Sequence, residues 1–534
     1  MTDRPRLLPL LSSKRHGGRD EMTCRYRCGN ACDHPVPNES GNPYLGDVVA
    51  AGISRRGVMR AGAAGALVLS AGGAATAVPA PAAAHAVPSP TGPAGGRLTF
   101  APIPPNTLDN LVVPNGYHTA VVIRWGDPVL AGAPGLDVTN RGTVLSGGEN
   151  FNQYFVGGDG VPESLKPKLA RYGISTTARY PADSRKWDRV QERFDLARHP
   201  NEAHRFGWIV EIDPYDPRSR PRKHTALGRF KHEGANVIVA RDGRVAAYLG
   251  DDERFDYLYK FVSDRRYRPG DRRHNLTLLE SGTLSVAKVT GDGTGQWVKL
   301  VSGARSFVPG MTAEEVLVFT RLAGDTVGAT RMDRPEDVEP NPVTGRIYAA
   351  MTNNTSRGVG TNPGVDQANP RPNNRHGHIL EITEDGGDHT AETFTWALPI
   401  ICGDPAQPDT YFAGYDKSAV SPISCPDNVA FDRAGNLWIA TDGNALGSND
   451  GLFATAIGGP ERGHLKQFLT VPLGAETCGP FLTSDDRSVF TAVQHPGERT
   501  GASLETPAST WPDGDFAKPA VVVTWRQDGG PIGS

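Results

Sequence analysis

The chain has 534 residues, 38% of them hydrophobic and 22% charged, with a formal net charge of -3. That balance supplies apolar material for a packed core and gives no basis for nucleic acid or an anionic membrane surface as a partner. The 63 glycines and 44 prolines, spread through a body without a low-complexity tract, point to many turns and hence to many short strands.

Residues 1–86 read as a leader. Ser54-Arg55-Arg56-Gly57-Val58-Met59-Arg60 precedes a weakly apolar run from Ala61 to Ala77, and Ala84-His85-Ala86 offers a small-residue cleavage site. An arginine pair ahead of a short Ala/Gly-rich core is the signal read by the twin-arginine export machinery, which moves folded chains. The expected location is therefore extracellular or in the cell envelope. The run falls short of the ~20 strongly apolar residues that a spanning helix needs, so no stable membrane insertion is expected. Cys24, Cys28 and Cys32 lie ahead of the arginines and would leave with the leader. Cys402, Cys425 and Cys478 remain, enough for one disulfide and one thiol in an oxidising compartment, and the sequence does not choose the pair.

Residues 87–96 form a Pro/Gly-rich linker, and 97–534 read as one all-β domain. A unit recurs along it: a tight turn, a strand, then a polar end. Arg241-Asp242-Gly243 leads into the strand Arg244 to Leu249, Val343-Thr344-Gly345 into Arg346 to Met351, Arg433-Ala434-Gly435 into Asn436 to Ala440, and Ser484-Asp485-Asp486 into Ser488 to Val493. Such turns supply the positive φ that hairpins need, and the strands carry apolar residues at period two. Repetition of one pattern at wide spacing predicts a β-propeller decorated by long loops. Short helices are predicted only for Glu163 to Arg171 and Trp187 to Ala197.

Acidic residues gather at the strand ends. Glu211, in Gly207-Trp208-Ile209-Val210-Glu211-Ile212, points to the face opposite Ile212, where a carboxylate needs a salt bridge, water or a cation. In Arg334-Pro335-Glu336-Asp337 an arginine and a carboxylate flank a proline of fixed φ. The planar guanidinium fork suits phosphate and the carboxylate suits the cation sharing it; an exposed ion pair at a turn is the alternative. Cys425-Pro426-Asp427-Asn428, His232-Glu233-Gly234 and Gly250-Asp251-Asp252-Glu253 offer hard oxygen ligands for Ca²⁺ or, equally, good turns. No G-x-S-x-G, H-E-x-x-H or P-loop pattern is present, which disfavours a serine hydrolase, a zincin and a P-loop enzyme.

Together these segments resemble the PhoX-type alkaline phosphatases. The resemblance runs in order through Phe206 to Pro217, Thr225 to Ser263, Arg331 to Asn354, Asn369 to Glu381, Cys425 to Gly443 and Glu476 to Glu498. Gly250-Asp251-Asp252-Glu253-Arg254-Phe255 and Gln494-His495-Pro496-Gly497-Glu498 are its most specific stretches. It implies a six-bladed propeller, Ca²⁺ and Fe³⁺ at one end of the channel, and hydrolysis of small phosphate monoesters. By motif, Glu149, Glu211, Glu336 and Asp427 would be metal ligands and Arg334 would grip phosphate.

Two departures accompany it. Gly148 stands where the family has the first glutamate of a Glu-Glu-Asn motif, and no cysteine lies between Cys32 and Cys402 to supply the family's iron-bridging thiolate. Family material is missing where Asp137-Val138-Thr139 runs into Arg141-Gly142-Thr143. The expectation is an incomplete propeller, weakened iron binding and reduced or lost turnover. The competing readings are a non-catalytic, calcium-stabilised propeller that binds a phosphorylated ligand or protein, and a calcium-only phytase-like or lactonase-like hydrolase.

The leader yields a direct test. Arg55→Lys combined with Arg56→Lys should hold the precursor in the cytoplasm, read by cell fractionation; unchanged export of the double variant would refute the twin-arginine assignment.

Overall fold

The computed structural model describes residues 96–127 and 151–534, apart from 159, 178, 181–183, 214–215, 217–218 and 504. The leader with its arginine pair, the junction near Thr139 and the candidate ligand Glu149 lie outside the described residues.

Antiparallel four-stranded units follow one another along the chain. The first comprises β4 (Asn236–Val239), β5 (Arg244–Gly250), β6 (Leu258–Arg266) and β7 (Gly282–Val289), extended by β8 (Thr294–Ser302) and β9 (Arg305–Ser306). The second comprises β10 (Pro335–Pro340), β11 (Ile347–Met351), β12 (His378–Glu384) and β13 (Thr393–Ile401), with β14 (Tyr411–Phe412) at its edge. Pairing of β13 with β8 fuses these two units into one continuous sheet. The third comprises β15 (Pro426–Phe431), β16 (Leu437–Thr441), β17 (Gly451–Thr455) and β18 (Lys466–Thr470). The last comprises β19 (Glu476–Leu482), β20 (Ser488–Gln494) and β21 (Ala520–Arg526), completed by β1 (Tyr117–Arg124) from the start of the domain. That pairing of β1 with β21 ties the two ends of the domain together and covers what would be an open sheet edge.

This is β-propeller architecture, with four blades among the described residues. Strands β4, β10, β15 and β19 are the first of each blade and pack in series, β4 on β10, β10 on β15 and β15 on β19. They are therefore the inner strands. The four strands expected from the turn-strand pattern are β5, β11, β16 and β20, the second strand of each blade.

Period two explains why these second strands are apolar on both faces. Ala246 and Tyr248 of β5 join Ile347, Ala349 and Met351 of β11 in one core, whereas Ala247 and Leu249 turn to another. Tyr348 and Ala350 meet Leu437 and Ile439 of β16 in the next core. Trp438 and Ala440 meet Val489 and Val493 of β20 in the one after. Three of these cores are seams between successive blades, and β11 and β16 each serve two of them; the other face of β5 turns to a core covered by helices.

The helices depart from expectation. The stretch 163–171 holds a short helix, Lys166–Ala170, while 187–197 holds two 3₁₀ turns, Trp187–Arg189 and Glu192–Phe194. The longest helix among the described residues, Thr320–Val327, follows Ala313–Val318 and was not expected. Its start was legible: Thr312 accepts from the Glu315 amide and Glu315 returns the bond, a capping box spelled T-x-x-E. Val316 and Ala323 of this pair pack on the face of the first blade turned away from β10. The same face is sealed by Leu227 and Phe230. A short ribbon of β2 (Ile209–Glu211) and β3 (Arg222–His224) stands apart. Cys402, Cys425 and Cys478 are all free thiols, so the permitted disulfide is not formed.

Two blades pack tightly at Gly250, the last residue of β5, where a Cβ would collide with the carbonyl of Glu336 on β10. Gly250→Ala should cost about 2–3 kcal/mol through overpacking, measured by chemical denaturation; a loss under about 0.5 kcal/mol would show that the seam has slack there.

Candidate metal and phosphate site

Three blades begin in the same way. The amide of Asp252 donates to the Lys231 carbonyl at 2.9 Å, that of Thr352 to Arg334 at 3.1 Å and that of Asp442 to Cys425 at 3.0 Å. Lys231, Arg334 and Cys425 are therefore equivalent, and the residue two places on is a carboxylate each time: Glu233, Glu336 and Asp427. In β10 and β15 a bulge follows the proline, between Pro335 and Val338 and between Pro426 and Val429. Arg334 and Cys425 both take left-handed backbone, φ 60° and 55°, rare outside glycine. The positive φ and the bulge together swing the carboxylate away from the ladder and towards the channel.

The next residue staples blades together. Asp337 accepts from the Asn236 side chain at 2.8 Å on one side and from the Val429 amide at 3.2 Å on the other. Asn428 accepts from the Gly479 amide at 2.6 Å.

The result is a chain of acids at one end of the channel. Ligand atoms of Glu233, Glu336 and Asp427 all lie within 4.8 Å of one another; so do those of Asp427, Glu476 and Cys478, and those of Asp442, Glu476 and His495. Burial, then repulsion from Asp427 and Asp252, pushes the Glu336 carboxyl well above its usual range. Burial, then Glu476 and Glu233, does the same to Asp427. Asp442 is pushed up to about 6, first by burial and then by Glu476. Glu476 moves the other way: burial opposes the shift, but hydrogen bonds from His495, Cys478 and Gln494 outweigh it. His495 is pushed up to about 9: burial works against it, but its hydrogen bond to Glu476 (3.0 Å) and the charge of Glu498 (2.9 Å away) outweigh that.

Arg334 is collared by the same acids. Its Nε lies 2.6 Å from Asp252 Oδ1, one Nη 2.9 Å from Glu336 Oε1 and the other 3.5 Å from Asp442 Oδ2. The collar is braced from behind by buried ion pairs: Arg321 on Asp251 (2.8 Å from Nε), Arg171 on Asp256, and Arg357 on Asp333. Holding Asp251 and Asp333 fixes their neighbours Asp252 and Arg334.

Of the residues expected from sequence, Arg334, Glu336 and Asp427 come together. Glu211 stands on the β2–β3 ribbon, 2.9 Å from His224 Nε2, beside a cavity bounded by Asp213, Asp216, Arg220 and Arg272. It belongs to none of the acidic clusters found among the described residues. Asp442, Glu476, Cys478 and His495 join the site without having been singled out as ligands. The signal for Glu233 was the repeated spacing Lys231-His232-Glu233, Arg334-Pro335-Glu336, Cys425-Pro426-Asp427. For the others only blade geometry supplies the connection.

The model for alkaline phosphatase PhoX matches residues 138–497. The chain belongs to the PhoX family of alkaline phosphatases. It is thereby a phosphoric monoester hydrolase by descent. Among solved structures, PhoX of Pseudomonas fluorescens in complex with vanadate, a transition-state analogue, is similar over 83% of this chain and 99% of its own, at 29% identity and a TM-score of 0.69. A protein of unknown function from Dyadobacter fermentans aligns over 55% of this chain and 70% of its own, at 11% identity and a TM-score of 0.23, too distant to bear on the fold. No curated protein sequence matches the chain.

The acids suit a cation. Glu336 is 1% exposed, and its Oε1 has no hydrogen-bond partner despite the nearby guanidinium. Clustered carboxylate oxygens are hard donors of the kind Ca²⁺ takes. A calcium chelator should therefore lower the melting temperature by several degrees, since a ligand at about 100 times its Kd adds about 2.7 kcal/mol to the native state. Glu336→Gln should melt higher than the parent in chelator and respond less to added Ca²⁺. A melting curve indifferent to both chelator and Ca²⁺ would show that no cation is held there.

Proposed function

We propose that the chain hydrolyses phosphate monoesters at a calcium-bearing cluster formed by Glu233, Glu336, Asp427, Asp442 and Glu476, with Arg334 as the phosphate-gripping residue. The observation that carries this reading is the guanidinium fork of Arg334 set among carboxylates from successive blades. Bound cations would supply positive charge for the phosphoryl oxygens and neutralise the surrounding acids. Arg334 binds and orients the phosphate through its two parallel N–H donors, a geometry that lysine cannot reproduce. Asp252 holds the fork at Nε, and the two Nη groups, which face Glu336 and Asp442, would turn to substrate once a cation neutralises those acids. Protonated His495 at the rim adds a second positive charge towards an incoming phosphate.

Of the residues carried over by motif, Glu211 and Glu149 are proposed as further metal ligands on the family resemblance alone. Iron is supported less well than calcium, because the upstream thiolate is missing from the sequence. Export through the twin-arginine pathway is proposed from Ser54 to Arg60; no helix among the described residues is long and apolar enough to cross a membrane.

The test is hydrolysis of p-nitrophenyl phosphate with and without Ca²⁺, with vanadate as competitor. Arg334→Ala should lower kcat/KM at least about a hundredfold, and Arg334→Lys should recover little of it. Calcium binding without any Arg334-dependent turnover would instead favour the non-catalytic propeller.

A further inference from the structure

The residue that opens each blade differs, and in the first blade it is a lysine. Lys231 lies opposite Asp252 as Arg334 lies opposite Thr352 and Cys425 opposite Asp442, each pair joined by its amide-to-carbonyl bond. Unlike Arg334 and Cys425, Lys231 does not take left-handed backbone. The next residue, His232, bridges to Asp251 in antiparallel fashion and turns into the first blade. Its ring centroid lies 3.7 Å from that of Phe230, and its Nε2 is 3.0 Å from the Gly228 carbonyl. Alternation along this extended segment puts Lys231 and Glu233 on the side opposite His232, and Glu233 belongs to the acidic cluster.

Asp252 connects this lysine to Arg334. It accepts from Arg334 Nε at 2.6 Å. Burial opposes its ionisation, but the charge and hydrogen bond of Arg334, a hydrogen bond from Glu336 and the charge of Lys231 together hold its carboxyl below the ordinary value. Both cations therefore act on one carboxylate. They are held very differently. Arg334 has three carboxylates around it. The Lys231 ammonium lies 2.7 Å from Glu253, whose side chain is 42% exposed. Water screens such a pair, so it contributes little and is easily exchanged.

We propose that Lys231 is a second phosphate-binding cation of the site, leaving Glu253 for a non-bridging oxygen of a phosphate held on Arg334 and returning when the phosphate departs. The proposal rests on the phosphatase reading and deepens it. A phosphate monoester dianion has three non-bridging oxygens. The planar Arg334 fork takes two, and a point-charge donor on a flexible stem from the neighbouring blade suits the third. Lys231 keeps its protons throughout, and no covalent bond changes. Glu253 competes with phosphate for the ammonium, so removing either member of the pair has opposite consequences.

The experiment measures inorganic phosphate binding to the full chain in saturating Ca²⁺ by calorimetry, alongside hydrolysis of p-nitrophenyl phosphate. Lys231→Met, which keeps the apolar stem, should weaken phosphate about tenfold and raise KM by a similar factor, with a smaller change in kcat. Lys231→Arg should restore most of that loss. Glu253→Gln should tighten phosphate about threefold, because the ammonium loses its competitor. The rise in melting temperature on adding Ca²⁺ should be the same in the parent and all three variants, which separates a phosphate contact from a brace of the acidic cluster. Unchanged phosphate affinity in Lys231→Met overturns the proposal. So does a loss of affinity in both Lys231→Met and Glu253→Gln, as a merely structural ion pair would give. Either result, with phosphate binding still dependent on Arg334, leaves the phosphatase reading standing. A parent that neither binds phosphate nor hydrolyses the ester defeats both.

Discussion

Negative charge gathered in a poorly hydrated place is the constraint on which this molecule turns. Glu233, Glu336, Asp427 and Glu476 come from four successive blades, and burial makes the ionised forms of Glu336 and Asp427 costly. Their mutual repulsion adds to that cost. A protein can tolerate such an arrangement in three ways: protonate the acids, pair them with buried cationic side chains, or bind metal. Arg334 and His495 take part of the charge. These two cationic side chains face at least five carboxylates, Glu233, Glu336, Asp427, Asp442 and Glu476, so a cation suits the cluster better than a further side chain.

The blade repeat makes the arrangement cheap to build. One local device, a left-handed residue, a proline and a bulge, is used at Arg334 and again at Cys425, and it delivers a carboxylate to the channel each time. The residue after that carboxylate, Asp337 or Asn428, reaches sideways to a neighbouring blade's backbone. Binding geometry and blade packing are therefore set by adjacent residues of the same bulge, and strain at one is shared with the other. The buried Arg321–Asp251 and Arg357–Asp333 pairs complete the support, each anchoring a residue next to one that faces the site.

Arg334 stands in competition between its own protein and substrate. Its three carboxylate neighbours are the groups that a cation would also seek. A cation bound there and a phosphate on Arg334 would therefore be coupled, since neutralising Glu336 and Asp442 would loosen their hold on the guanidinium and raise its affinity for an anion.

Much of this was legible in the chain itself. Hairpin turns followed by strands rich in apolar residues located β5, β11, β16 and β20, because the second strand of each blade is largely buried between its neighbours. The helix beginning after Thr312 was equally local, written in its capping box. Arg334, Glu336 and Asp427 stood out because a proline between unusual neighbours is a short-range signal. Glu476, Asp442, His495 and Cys478 did not stand out, since each is ordinary in its own segment and acquires its role from residues far along the chain. Glu211 shows the converse: a carboxylate conspicuous in an apolar strand, yet folded against His224 on a separate ribbon. Sequence determined which residues could turn towards the channel. Only closure of the blades around a common axis decided which of them meet, because the few ångströms separating ligand atoms are set by packing across seams and not by spacing along the chain.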